Sequence, residues 1–329
     1  MNLHEDKKLF RDAVRATSEF KDIREVYIEK DYWVTYALKT IFTHEIGEDT
    51  IFKGGTALSK CFNLIERFSE DIDLVVLRNE EDSNAQMTKK IKAISKAVES
   101  VLPEIEVEGI TRKRGMNRKT AHTYSKEFSG EYGQVRDTII VEASWLGSSE
   151  PNTEHHVSTY IYEMMEANGQ AEMAEEFGVL PFEIRVLAVR RTLCEKIMSL
   201  VRFSYTDDPI TDLGNKIRHT YDLHLMLQNE EIRAFFESPD FDALLKTVAN
   251  DDVVSYRIDI EWLAVHPIEA TIFRDLDMVW DQLKNIYTQQ FQYLVFGELP
   301  KEQDIHESLS KIKTRLNKIE WDIKPDDET

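Results

Sequence analysis

The chain has 329 residues with 12 glycines, 8 prolines and 31% charged residues, a composition that suits a helix-rich globular protein of two or three domains and excludes fibrous or low-complexity architectures. A net charge of −20 argues against a sequence-independent grip on nucleic acid, because a polyanion is repelled by an acidic surface unless a local basic patch dominates. No apolar run approaches the ~20 residues of a membrane span, no secretory apolar core opens the chain, and the two cysteines, Cys61 and Cys194, sit at apolar helical positions as buried thiols would, so the expectation is a cytoplasmic protein.

Residues 1–46 read as helical. Tyr32, Trp33, Tyr36, Ala37, Leu38 and Ile41 lie along a broad apolar face. Glu29, Lys30 and Asp31 precede that face and read as its charged helix start, where an acidic pair suits the first turn.

The stretch from residue 53 to 77, KGGTALSKCFNLIERFSEDIDLVVL, organises the chain. A short apolar run (Ile51, Phe52) leads to Lys53, Gly54, Gly55 and Thr56. Paired glycines turn the backbone sharply, since they lack the Cβ that forbids positive φ. Residues 56–65 then read as a helix through Leu58, Phe62 and Ile65, so the turn sits at a helix N-terminus, a place that favours phosphate. After it the period becomes two. Arg67, Ser69, Asp71 and Asp73 fall on one face of a strand, Phe68, Ile72 and Leu74 on the other. Two carboxylates on one strand face are roughly 7 Å apart at Cα and can converge on Mg²⁺ or Mn²⁺, hard cations that complete their shells with water and phosphate oxygens.

Residues 89–101 read as a helix, and 105–110 and 125–128 as weak strands flanking a basic loop. That loop gathers Arg112, Lys113, Arg114, Arg118, Lys119 and Lys126, with His122 and Tyr124 among them. It has two readings, a solvated hairpin and an RNA contact. Residues 135–145 form a stronger strand, with Glu142 on the same face as Ile140 and Ser144. The polar stretch 147–169 carries His155 and His156, whose adjacent positions make a poor metal pair, and no role is assigned to them.

On the helix VLAVRRTLCEKIMSLV, Val186, Val189, Leu193, Ile197 and Leu200 form a stripe with Lys196 at its edge. TDDPITD follows as a loop. In KIRHTYDLHLML, Ile217, Tyr221 and Leu225 share one side, with Asp222 beside Leu225 and Met226. A carboxylate toward an apolar face needs a cationic partner. Arg218 is the structural candidate and Lys196 the functional one; if both charges are structural, Lys196 and Asp222 should pair with each other or with Arg218.

The order strand, Gly-Gly-Thr, one helix, then Asp-x-Asp on an apolar strand resembles the signature of the DNA polymerase β-like nucleotidyltransferase superfamily; no Walker loop occurs. Glu-Lys-Ile on one helix, then Arg-x-x-Tyr-Asp-Leu on the next, resembles the C-terminal signature of the AbiEii/AbiGii abortive-infection toxins within it. That family usually has Arg-Asp-x-Tyr-Asp-Leu, and His219 replaces the first Asp here. The run EKDYW and the closing YLVFGELP with its last helix resemble the same family, so the likeness touches residues 29 to about 317.

The resemblance implies an α+β fold, a polymerase β-like nucleotidyltransferase domain with a small mixed sheet and helices, plus a mainly helical C-terminal domain. The expected divisions are an N-terminal helical segment (1–46), the nucleotidyltransferase core (47–146) and a helical domain completing the active site (147–329). Gly54, Gly55 and Thr56, with Lys53 and Ser69, would hold nucleotide phosphates. Asp71 and Asp73 would bind Mg²⁺ (or Mn²⁺), and Glu142 would supply the third carboxylate that the superfamily projects from a neighbouring strand. Lys196 would contact the triphosphate or stabilise charge in transfer, and Asp222 would complete the catalytic set of Asp71, Asp73, Lys196 and Asp222. The implied chemistry is metal-assisted nucleotide transfer from NTP to an acceptor, tRNA 3′ ends in some members, with an antitoxin encoded alongside, often a winged-helix protein.

Three functions follow for comparison. The leading one is a toxin-type nucleotidyltransferase acting on RNA through the 112–126 stretch. The second keeps the nucleotide site and changes the acceptor to a protein hydroxyl, which the acidic net charge favours. The third is a non-catalytic partner-binding module, which the intact Gly54, Gly55, Asp71, Asp73, Lys196 and Asp222 argue against.

Overall fold

The computed structural model describes residues 1–69, 71–113, 115–130, 135–147, 149–255 and 260–324. Arg114 of the basic stretch lies outside the described residues. The α+β class is observed, and the chain divides into two compact units. The first comprises Met1–Asn63, Arg67–Trp145 and Asn152–Leu187; the second comprises Leu64–Glu66, Leu146–Pro151 and Ala188–Thr329.

Among the described residues the first unit holds seven strands in one mixed sheet: β1 (Thr50–Lys53), β2 (Asp71–Val76), β3 (Glu104–Ile105), β4 (Asn117–His122), β5 (Ile139–Ser144), β6 (Asn152–Val157) and β7 (Phe182–Leu187). Their order is β3-β4-β5-β2-β1-β7-β6. β1 runs antiparallel to β2 and parallel to β7, while β2 runs parallel to β5. The central strands are apolar because they are covered: Ile51, Val75 and Leu187 form a buried cluster. The sheet therefore takes its last two strands from chain beyond residue 146, where the sequence suggested the start of a separate helical domain.

Helices α1 (Lys7–Lys21), α2 (Glu25–Thr43), α3 (Gly54–Lys60), α4 (Asn84–Glu99), α5 (Tyr160–Ala167) and α6 (Ala171–Glu176) complete this unit. α2 corrects the expectation for its charged triplet. The helix begins at Glu25, not after Asp31, and Glu29, Lys30 and Asp31 lie buried within it. It is buried nearly all round, so its first turn carries no sharp apolar-to-polar switch to mark it.

Three further differences are local. α3 starts at Gly54 and ends at Lys60 instead of running to residue 65, and Asn63 adopts a left-handed φ of 50° just beyond it. The strand face expected from Arg67 onward begins only at Asp71. The basic stretch is not a loop between strands: β4 runs through residues 117–122, and 125–128 form no strand. Its polar residues are compatible with a sheet interior because they meet partners there, and so the two-residue apolar alternation is missing.

The second unit is helical: α7 (Val189–Phe203), α8 (Pro209–Asn215), α9 (Ile217–Gln228), α10 (Glu230–Glu237), α11 (Pro239–Ser255), α12 (Thr271–Arg274), α13 (Leu276–Gln289) and α14 (Glu302–Leu316). The stretch expected as a loop at 206–212 enters α8, with Asp208 accepting from the Thr211 N–H as its N-cap and Pro209 in the first turn. α7 packs on α9 and α11, and α9 on α10 and α14. Two signature positions meet at the main chain of one residue, Glu66, in this unit. The Glu66 N–H donates to the Tyr221 hydroxyl at 3.3 Å, and the Glu66 carbonyl accepts from the N–H groups of Phe296 and Gly297 at 3.0 and 3.3 Å. A β-carbon on Gly297 would lie 2.7 Å from Glu66 Cβ, which explains a glycine in the closing turn.

Candidate active site

The antiparallel pairing of β1 with β2 places Lys53 opposite Asp73, so the end of the apolar strand delivers the Gly-Gly turn directly onto the Asp-x-Asp strand. Gly54 has φ +84°, a conformation that side chains with a Cβ rarely adopt. A β-carbon there would lie 3.1 Å from Asp73 Cγ and closer still to its Oδ2. At Gly55 a β-carbon would lie 2.6 Å from a guanidinium nitrogen of the buried Arg67 and 3.1 Å from Ser69 Oγ. The Thr56 hydroxyl donates to the Asp71 carbonyl at 2.6 Å and lies 2.9 Å from Ser69 Oγ. Gly54, Gly55, Thr56, Ser69 and both aspartates are thus gathered in one place.

Parallel pairing of β2 with β5 sets Asp71 opposite Ile140 and Asp73 opposite Glu142. Burial, then the charges of Asp71 and Glu142, push Asp73 up to about 7, against the opposing influence of Lys53 and Lys119. Glu142 behaves differently. Burial works against its ionised form, but hydrogen bonds from Asn117 (2.6 Å) and Lys119 (2.9 Å) hold it below the usual carboxylate range. Asp71 accepts from Arg136 at 3.4 Å.

Asp71, Asp73 and Glu142 are the carboxylates that could hold a divalent cation here. Asp71 and Glu142 add their negative charge to the burial that raises Asp73, a cation there would relieve both, and the carboxylate donors are hard oxygens, as Mg²⁺ or Mn²⁺ prefer. Among the described residues no three His, Cys, Asp or Glu side chains are arranged to hold a metal ion. Glu142 has its oxygens turned to Asn117 and Lys119. Two carboxylates suffice for Mg²⁺, which usually keeps several waters and takes substrate phosphates.

Lys196 and Asp222 lie in the second unit, on α7 and α9, and are paired with each other at 2.7 Å with side-chain exposures of 6% and 0%. His219 Nδ1 is 3.4 Å from the Lys196 ammonium. The basic stretch is laced with acids: Lys113 with Glu104 and Glu106, Arg118 with Glu104, Lys119 with Glu142, Lys126 with Asp137. Spacing alone does not single out Arg136 and Lys119, the cations facing Asp71 and Glu142, as members of the site. The pairing of β4 with β5 brings Lys119 to Glu142, and the β4–β5 connection brings Arg136 to Asp71.

A glycine turn seated on an Asp-x-Asp strand, within a mixed sheet, is the arrangement of a nucleotidyltransferase. The sequence matches the family described as nucleotidyl transferase AbiEii toxin, type IV toxin–antitoxin system, over residues 36–317, and the chain belongs to that family. Membership makes it a toxin-family nucleotidyltransferase, with an NTP substrate and a cognate antitoxin implied. Nucleotidyltransferases typically use divalent metal ions. Among solved structures the chain is similar to MenT4, a nucleotidyltransferase toxin from Mycobacterium tuberculosis H37Rv, at 16% identity and TM-score 0.44, covering 95% of this chain and 87% of that one. It is also similar to JHP933 from Helicobacter pylori, at 17% identity and TM-score 0.36, covering 88% and 97%. No protein of curated function matches the sequence significantly. Among the described residues no helix is long and apolar enough to cross a membrane.

Proposed function

We propose that the chain transfers a nucleotide from NTP to an RNA acceptor, tRNA among the candidates, in a cytoplasmic toxin–antitoxin or phage-defence (abortive infection) setting. The observation that carries the site is the seating of Gly54 against Asp73, so close that residue 54 must lack a side chain. In this reading Gly54, Gly55, Thr56 and Ser69, with Lys53, hold the triphosphate. Asp71 and Asp73 hold Mg²⁺ or Mn²⁺, and Glu142 shares in it only by giving up Lys119. The metal, when bound, neutralises charge on the transferring phosphoryl group. The protein's part is to orient the phosphates and exclude water. The family resemblance assigns Lys196 to triphosphate contact or charge stabilisation, and Asp222 to the catalytic set.

A second reading moves the acceptor to a protein hydroxyl. It is favoured by the ion pairs that engage Lys113, Arg118, Lys119 and Lys126, which reduce the positive field the 112–126 stretch offers to an RNA backbone. Incubation with each labelled NTP, Mg²⁺ and either total RNA or lysate proteins separates the two. Label on RNA is expected; label on protein alone would replace the leading proposal by the second.

A further inference from the structure

Glu29, Lys30 and Asp31 are consecutive, charged and exposed by only 0%, 0% and 5%. Charges in such a place are costly unless each meets a partner, so the partners show what the triplet is for. Glu29 accepts from the N–H groups of Glu127 at 2.7 Å and Phe128 at 3.3 Å. The Lys30 ammonium donates to the main-chain carbonyl of Arg136. Asp31 pairs with Lys60, the last residue of α3, at 2.5 Å, and accepts from the Tyr160 N–H at 2.9 Å. Two of the three charges therefore hold main chain in the connection from β4 to β5, and the third holds the end of the helix that begins with Gly54.

The Arg136 side chain gives this frame a direction. It is 39% exposed and reaches Asp71 Oδ1 at 3.4 Å. We propose that Arg136 binds the nucleotide's phosphates, and that Lys30 is its positioning residue, fixing the main chain of residue 136 so that the guanidinium faces the Asp71 strand. The proposal rests on the reading of Asp71 and Asp73 as the nucleotide site. A guanidinium suits this task because its planar fork matches phosphate oxygens two at a time. Partial exposure lets an arriving phosphate meet it without opening the core. Lys30 donates to the main-chain carbonyl of residue 136, and so sets the arginine's place along the chain.

The test measures binding of each ribonucleoside triphosphate to the full chain in EDTA by calorimetry, and KM and kcat for transfer with Mg²⁺. Arg136→Ala is expected to weaken metal-free binding by roughly tenfold to a hundredfold, the usual range for a charge-assisted hydrogen bond. Lys30→Met should weaken it comparably per folded molecule, and the double variant no further than Arg136→Ala alone, because both act through one guanidinium. KM should rise more than kcat falls, and Arg136→Lys should recover part of the binding. Lys30→Met that lowers the melting temperature but binds like wild type would make Lys30 a structural residue only and overturn its positioning role. Should Lys30→Met not fold, Arg136→Ala decides: wild-type affinity there overturns the proposal. Wild-type protein that binds no triphosphate even with Mg²⁺ present would overturn the nucleotide-site reading itself, whereas a binding and transferring wild type with an unaffected Arg136→Ala would overturn this inference alone.

Discussion

Gly54 and Asp73 occupy adjoining space so closely that a β-carbon on Gly54 would lie 3.1 Å from Asp73 Cγ. The turn and the acidic strand are one structural unit, and neither side has room to change independently. Gly54→Ala should therefore cost more than about 1 kcal/mol of stability, through positive φ and the clash, and lose most triphosphate binding. Gly55→Val, which would drive into Arg67 and Ser69, should do the same. Calorimetric titration with NTP and Mg²⁺, alongside thermal melts, checks both; unchanged affinity would make the turn a plain connector.

Asp71→Ala and Asp73→Asn should each reduce nucleotide transfer by roughly 10²-fold or more, the usual scale for losing stabilisation of charge that develops in the transition state. The fold should persist, because Asp71 and Asp73 are only partly buried at the edge of the core. Chelation of divalent cations should abolish transfer by the wild type to the same degree. A double variant retaining near-wild-type labelling would remove these carboxylates from the mechanism.

Lys196→Met leaves the fully buried Asp222 carboxylate without its 2.7 Å partner and should cost about 3–5 kcal/mol. This departs from the small stability loss expected had Lys196 merely lined a cleft. Replacing both residues, as Lys196→Met with Asp222→Leu, should recover most of that stability. Transfer should stay lost in the double variant if the family assignment of these residues is right. Normal transfer by a folded double variant would make the pair purely structural.

Burial pushes Glu29 up to about 7, and the Glu127 charge adds to this, while hydrogen bonds from the Glu127 and Phe128 N–H groups and the Lys126 charge oppose it. The folded state thus holds a proton on Glu29 more tightly than the unfolded chain does. Its contribution to stability is complete below about 4.5 and is lost as pH rises through about 7. Glu29→Gln should flatten that fall. The measurement is the difference in melting temperature between variant and wild type from pH 5 to 8, and an unchanged slope would remove Glu29 from the pH dependence.

Local pattern determined much of this protein. The change of period between the Gly-Gly turn and Asp71-Ile72-Asp73 marks a helix followed by a strand, because side-chain direction repeats at about 3.6 residues in one and at 2 in the other. The proximity of Gly54, Thr56 and the Asp71–Asp73 strand was readable for the same reason: they are close along the chain, and a turn with positive φ admits few residues. The pairing of Lys196 with Asp222 was readable as an alternative, since two charges on apolar helix faces need one another. What only the tertiary structure decided lies between positions distant in sequence. Lys30 and Arg136 are 106 residues apart, Arg136 and Asp71 are 65 apart, and Lys119 meets Glu142 across β4 and β5. No local period encodes such contacts, since they depend on which strand lies beside which. The same is true of the Glu29–Asp31 triplet, whose charges look like a solvated helix start until the sheet and the β4–β5 connection close over them and supply their partners.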